Sequence, residues 1–124
     1  MRLTRKEEIL VPFDSGRGEK VYEMLGAPES IGGAKHHSFS HVVIAPGCAS
    51  RPHWHPVAEE TYYMLKGEGR MLIDGREIIL RPGDALLITP PELHQIFNDT
   101  DTDIEFIAVC APAWTSDNSV YTDE

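Results

Sequence analysis

The chain of 124 residues is short of cysteine, with two, so it cannot be one of the small secreted scaffolds held together by a disulfide framework. Cys48 and Cys110 could pair only with each other, and in a reducing compartment such residues are expected as free thiols packed as small hydrophobes. No stretch approaches the roughly 20 apolar residues needed to span a bilayer. The opening MRLTRKEEILVPF has charges but no apolar run followed by small residues, so no secretory signal is read there and a cytoplasmic location is the expectation. Basic residues are scarce as well. With 11 against 20 acidic residues and a formal net charge of -9, the chain is poorly suited to nucleic acid, where affinity depends on neutralising phosphates. Small anions stay open, because they respond to the local field of a pocket. Missing, finally, is any apolar pattern of helical period longer than one short run.

What is present is a series of short apolar runs at close intervals: KVYEML, FSHVVI, ETYYML, RMLID, EIIL, DALLI, HQIF and IEFIAVC. Between them lie PESIGG, APGCASRP, KGEG, DG, RPGD, TPPE and NDTDTD. Strands at such spacing, separated by turn residues, read as an all-β sandwich or barrel. Asp74-Gly75, between RMLI and REIIL, is the clearest hairpin signal, since a type I′ turn needs positive φ at both central residues. Pro82-Gly83 marks a further turn. The length suits one domain over residues 1–124, with residues 1 to about 8 and the tail after Trp114 as its expected loose ends. Trp114, Val120 and Tyr121 are too few apolar groups for that tail to build a core of its own, so it is expected to lie across the barrel or a partner subunit.

The chemistry is concentrated in HWHPVAEE. His53 and His55 are two positions apart, so on a strand both imidazoles leave the same face while Trp54 points to the other. Pro56 lacks an N–H and tends to end the strand, and a short loop through Val57, Ala58 and Glu59 lets the chain reverse. Glu60 then opens ETYYML. In a hairpin this sets a carboxylate beside the two imidazoles, with Tyr62 and Met64 on the same face as Glu60. His94, in the strand-like HQIFN after a Pro-rich turn, is the candidate fourth ligand. Three imidazoles and a carboxylate form a borderline donor set, suited to one divalent transition metal (Fe, Mn, Ni, Co, Cu or Zn) rather than Ca or Mg.

These residues resemble the two motifs of the cupin superfamily. The first runs from Gly47 through His53, His55 and Glu60 to Gly67, and every spacing fits. Glu59 fits the shorter spacing from the histidines but misses Gly67, which makes Glu60 the better ligand. In the second motif Gly83, His94 and Asn98 keep their places, whereas Thr89 stands where the family has Pro and Pro91 where it has Gly. Pro91 is held near φ of about -65°, so the loop presenting His94 must differ in backbone detail. With no residue gained or lost between Gly83 and His94, the imidazole is still expected to point inward. The resemblance covers about residues 35–112 and leaves 113–124 as a tail. It implies a jelly-roll β-barrel, often a homodimer, with the metal near one end of the interior. It does not imply one reaction, for proteins of this kind include dioxygenases, decarboxylases, isomerases, lyases and domains that only bind a ligand.

Other polar residues carry weaker expectations. Tyr62, His41 and His37 are the candidates for proton transfer to a bound substrate, set against the plainer reading of packed or surface side chains. Asn98 is expected to satisfy the backbone of its own turn. Trp54 and Trp114 are read as packing or dimer contacts, and Arg51, Arg70, Arg76 and Arg81 as solvated surface. The sequence therefore points to a metal-dependent enzyme acting on a small oxygen-rich molecule (an organic acid, a sugar derivative or an enol). The alternative is a non-catalytic ligand-binding or sensing module with a structural metal.

Overall fold

A computed structural model describes residues 1–123 as two antiparallel sheets, with three isolated 3-10 turns and no longer helix among those residues. Strands β1 (Phe13–Asp14), β2 (Glu19–Leu25), β3 (Ser38–Ile44), β5 (Glu59–Lys66), β8 (Ala85–Ile88) and β10 (Ile104–Ala111) form one sheet, in the order β1-β2-β3-β10-β5-β8. The second sheet takes β4 (His53–Trp54), β6 (Gly69–Ile73), β7 (Arg76–Leu80), β9 (His94–Phe97) and β11 (Val120–Tyr121), in the order β11-β4-β9-β6-β7. The expected all-β barrel is what forms. None of the helices is long and apolar enough to cross a membrane among the described residues.

Period-2 burial explains the layering. On β5, Glu60, Tyr62 and Met64 are buried while Tyr63 and Leu65 are exposed; on β6, Gly69, Met71 and Ile73 are buried. Asp74 and Gly75 join β6 to β7 with φ of 47° and 82°, the two positive angles of a type I′ hairpin. Gly67, between β5 and β6, has φ of 77°, and a Cβ there would lie 2.8 Å from the Ile104 side chain, so only glycine fits.

One expectation is corrected. The HxH segment and the Glu60 strand are not hairpin neighbours. Instead β4 pairs with β9 and β11, and β5 pairs with β10 and β8 in the other sheet. Pro56 and the residues after it carry the chain across the barrel rather than back along the same sheet. Glu60 therefore meets the imidazoles across the interior. The tail, by contrast, lies across the barrel as expected, and contributes β11 at the open edge of β4.

Directly opposed residues of β3 and β10 set how the interior is filled. At one end the inward pairs are Ile44 with Ile104 and Val42 with Phe106; at the other they are Ser40 with Ala108 and Ser38 with Cys110. Large side chains close the first end together with Met64, Met71, Ile96 and Leu80. Small ones leave space at the second. Because Ile104 is fully buried and Ile78 is 50% exposed on the edge strand β7, Ile104→Ala is expected to cost about 2–5 kcal/mol. Ile78→Ala should stay within about 0.5 kcal/mol. Urea unfolding measures both, and equal losses would refute this division of core from surface.

Candidate metal centre

The four residues of the sequence reading come together at the roomier end. His53 lies on β4 directly opposite His94 on β9, His55 follows β4 immediately, and Glu60 reaches in from β5 of the facing sheet. One donor atom from each lies within 4.8 Å of every other. Glu60 Oε1 is 3.1 Å from Nε2 of both His55 and His94, and 3.9 Å from Nε2 of His53. His55, Glu60 and His94 are buried and His53 nearly so.

The remaining ring nitrogens decide what this cluster can hold. Nδ1 of His53 donates to the Arg51 carbonyl at 2.9 Å, Nδ1 of His55 to the Asn118 carbonyl at 2.8 Å, and Nδ1 of His94 to the Glu92 carbonyl at 3.0 Å. A carbonyl oxygen only accepts, so each Nδ1 carries a hydrogen and each ring turns its Nε2 inward, as a lone pair when no second proton is bound. Cys110 Sγ donates to the other Glu60 oxygen at 3.1 Å and orients the carboxylate. With the rings neutral, three lone pairs and an anion face one another in a buried space, an arrangement that a proton or a metal cation between them reconciles. Donor atoms on one ion, each about 2.0–2.2 Å from it, span at most about 4.4 Å. The observed spread is close to that, and the residues fit a divalent transition metal.

Electrostatics point the same way. Burial alone would push Glu60 up, but when their Nε2 atoms carry protons His55 and His94 donate to it, and with the ring charges they hold its carboxyl well below the usual carboxylate range; a metal cation at the same place would act in the same sense. Burial, with the neighbouring His94, brings His53 down to about 4 against the opposing pull of Glu60. At neutral pH His53 is thus an unprotonated imidazole, the form that coordinates metal. Burial also lowers His55, yet the hydrogen bond its Nε2–H gives Glu60 and that residue's charge outweigh it and leave the group raised, so a metal would have to displace that proton.

The centre opens on a cavity of about 690 Å³, floored by the small pairs of β3 and β10. Tyr62 lines it, stacked on Phe106 with ring centroids 4.6 Å apart. His41 and His37 do not line it. His41 points to the outer face, where Nε2 is 2.7 Å from a Glu105 oxygen, and His37 is exposed ahead of β3. Asn98 serves its turn as expected, donating to the carbonyls of Ile44 and Thr102. Arg51 corrects the surface reading: it faces the cavity, holds Asp123 through two 3.0 Å hydrogen bonds and sits 3.9 Å over the Tyr121 ring.

Two groups escaped the sequence reading, Cys110 and Glu19. The pattern Glu19, Val21, Glu23 on β2 was a usable signal, since it places acidic residues on the inward face of a strand with an apolar partner. Burial raises Glu19 from 4.5 to about 7, against the lowering effect of the Arg51 backbone N–H and charge. The folded state consequently keeps a proton that the unfolded chain has already released, and stability falls as pH rises through the interval from 4.5 to about 7. Glu19→Gln removes that loss. In chelator-treated protein its gain in Tm over wild type is expected to grow between about pH 5 and about pH 8. A difference that does not change with pH would show that Glu19 titrates normally.

Comparison with known proteins places this geometry. The model of the cupin domain family matches residues 40–110. The oxalate-binding protein of Thermotoga maritima is 33% identical over 94 residues, covering 76% of this chain and 77% of that protein. Quercetin 2,3-dioxygenase of Bacillus subtilis is 29% identical over 98 residues, 74% of this chain and 29% of that enzyme. Among solved structures, the oxalate decarboxylase of Bacillus subtilis, studied for its Mn(II) centres, superposes with a TM-score of 0.76 at 25% identity, covering 89% of this chain and 29% of that one.

Proposed function

The chain belongs to the cupin superfamily, and on that premise we propose that it is a metal-dependent enzyme acting on a small oxygen-rich molecule, of oxygenase, decarboxylase or isomerase type. The observation that carries this reading is the convergence of His53, His55, Glu60 and His94 at the wall of a cavity that also holds Tyr62 and Glu19. A bound divalent transition metal would supply Lewis acidity there, or a meeting point for dioxygen and substrate. The four side chains hold and orient it. Glu19, whose pKa lies near neutrality, can take up or release one proton beside the substrate. Buried Tyr62 stays protonated, its pKa raised by burial and by the charge of Glu60, and so acts as a donor.

A second reading is favoured by the likeness to an oxalate-binding protein: a module that captures a ligand without turning it over. Product formation by metal-loaded protein separates the two. The homodimer belongs to the same proposal. Tyr63, Leu65 and Leu87 stand exposed on the outer face of the six-stranded sheet, an apolar strip that a second copy could cover. Sedimentation should then give twice the mass of one chain, and a monomer at working concentration would end that part of the reading.

His94→Ala is the sharpest test of the centre, because it removes one ligand from β9 and leaves both histidines of the HxH segment and Glu60 in place. Metal affinity is expected to drop about ten-fold or more with the fold preserved by circular dichroism. Full metal content after dialysis against a chelator would show that His94 is not a ligand.

A further inference from the structure

The cavity is far roomier than the centre alone requires, and its walls are not uniform. At about 690 Å³ it lies in the middle of the range of roughly 300–1,000 Å³ typical of sites for drug-sized ligands. The metal-ligand cluster occupies one side. Away from it the lining is mostly apolar, with Val21, Leu25, Val42, Phe106 and Ala108, and carries the hydroxyls of Ser38, Ser40, Thr115 and Ser116 among them. An apolar body matches the larger part of these walls better than a ligand that is polar all round.

Size and the engaged arginine argue against a small dicarboxylate. Apart from His53, Arg51 is the one basic side chain along the lining, against Glu19, Glu23 and Glu60. Arg51 is already engaged, by the two hydrogen bonds to Asp123 and the Tyr121 ring. A dianion as small as oxalate would find that arginine spoken for away from the centre, and would leave most of the volume and its apolar wall to water.

Resting on the metal-centre reading above, we propose that the ligand is an enol or phenol with an apolar, ring-sized body. Its oxygen faces the His53, His55, Glu60 and His94 cluster, and its body lies over Ala108 and Ser40 against Phe106. The open floor is what admits that body. Ala108 and Ser40 are directly opposed on β10 and β3, one register step from the pair Phe106 and Val42 that fills the barrel, so a larger side chain at either position would occupy the same space.

The test is calorimetric titration of Mn(II)-loaded protein with oxalate, phenol and naphthol, with metal content read by mass spectrometry and no turnover required. Naphthol is expected to bind about ten-fold or more tighter than phenol, because its second ring buries further apolar area, and tighter than oxalate. Ala108→Leu should weaken naphthol about ten-fold or more while metal content stays at the wild-type level. Ser40→Leu repeats the test from the facing strand if Ala108→Leu does not fold. Oxalate binding more tightly than naphthol, or naphthol indifferent to both substitutions, would overturn the proposal. The same titrations on metal-free protein keep the two readings apart: naphthol binding that survives without metal supports the cavity assignment even if the metal-centre reading fails.

Discussion

The candidate centre depends on the way three imidazoles are anchored. Each gives its Nδ1 hydrogen to a backbone carbonyl, two of them two residues upstream in the chain and the third in the C-terminal tail. That fixes the tautomer, and the tautomer turns three lone pairs toward a carboxylate. In water such an arrangement would relax by rotating the rings. Inside the barrel the rotation would leave an Nδ1–H and a carbonyl both unpaired, at about 1–3 kcal/mol for each buried group. The cluster is therefore held by its own backbone bonds, in an arrangement that fits a divalent cation.

The fold supplies the anchoring through closure of the barrel, not through any one strand. His53 and His94 are opposed in one sheet, and Glu60 arrives from the other, where its neighbour Cys110 donates to the second oxygen. Burial raises Cys110, as does the charge of Glu60, so the thiol keeps its proton and works as a donor and not as a competing ligand. The same residue ends the row of small side chains on β10 that leaves the cavity open. One side chain thus serves both the orientation of the carboxylate and the space in front of it.

Much of this could be read in the sequence, because the information was local. The HxH spacing put two imidazoles on one face, the Asp74-Gly75 turn was legible in two residues, and the distance from Gly83 to His94 survived the changes at Thr89 and Pro91. What sequence could not convey is which sheet a strand joins. His53 and Glu60 are seven residues apart and look like a hairpin, yet the link through Pro56 crosses the barrel. The faces of β3 show the same limit. Period 2 placed His37 and His41 together, but only the pairing with β2 and β10 shows that Ser38, Ser40 and Val42 face inward and His41 outward to Glu105. Arg51 looked like a solvated turn residue because its partners, Asp123 and Tyr121, lie some seventy residues away in the chain.

That distant tail ties the C-terminus to the centre. Tyr121 pairs with His53 in register, so β11 covers the exposed edge of the strand that carries His53. Asn118 supplies the carbonyl that sets His55, Ser119 places its hydroxyl 3.0 Å from the same nitrogen, and Asp123 bridges Arg51 and Arg17. A segment with too few apolar residues for a core of its own is thereby held by main-chain pairing and ionic contacts. In exchange it fixes the tautomer of His55, shields the edge of β4 and occupies the Arg51 guanidinium. Order in the tail and geometry at the centre are consequently one equilibrium: whatever frees residues 118–123 also frees His55 to rotate and Arg51 to seek a new partner.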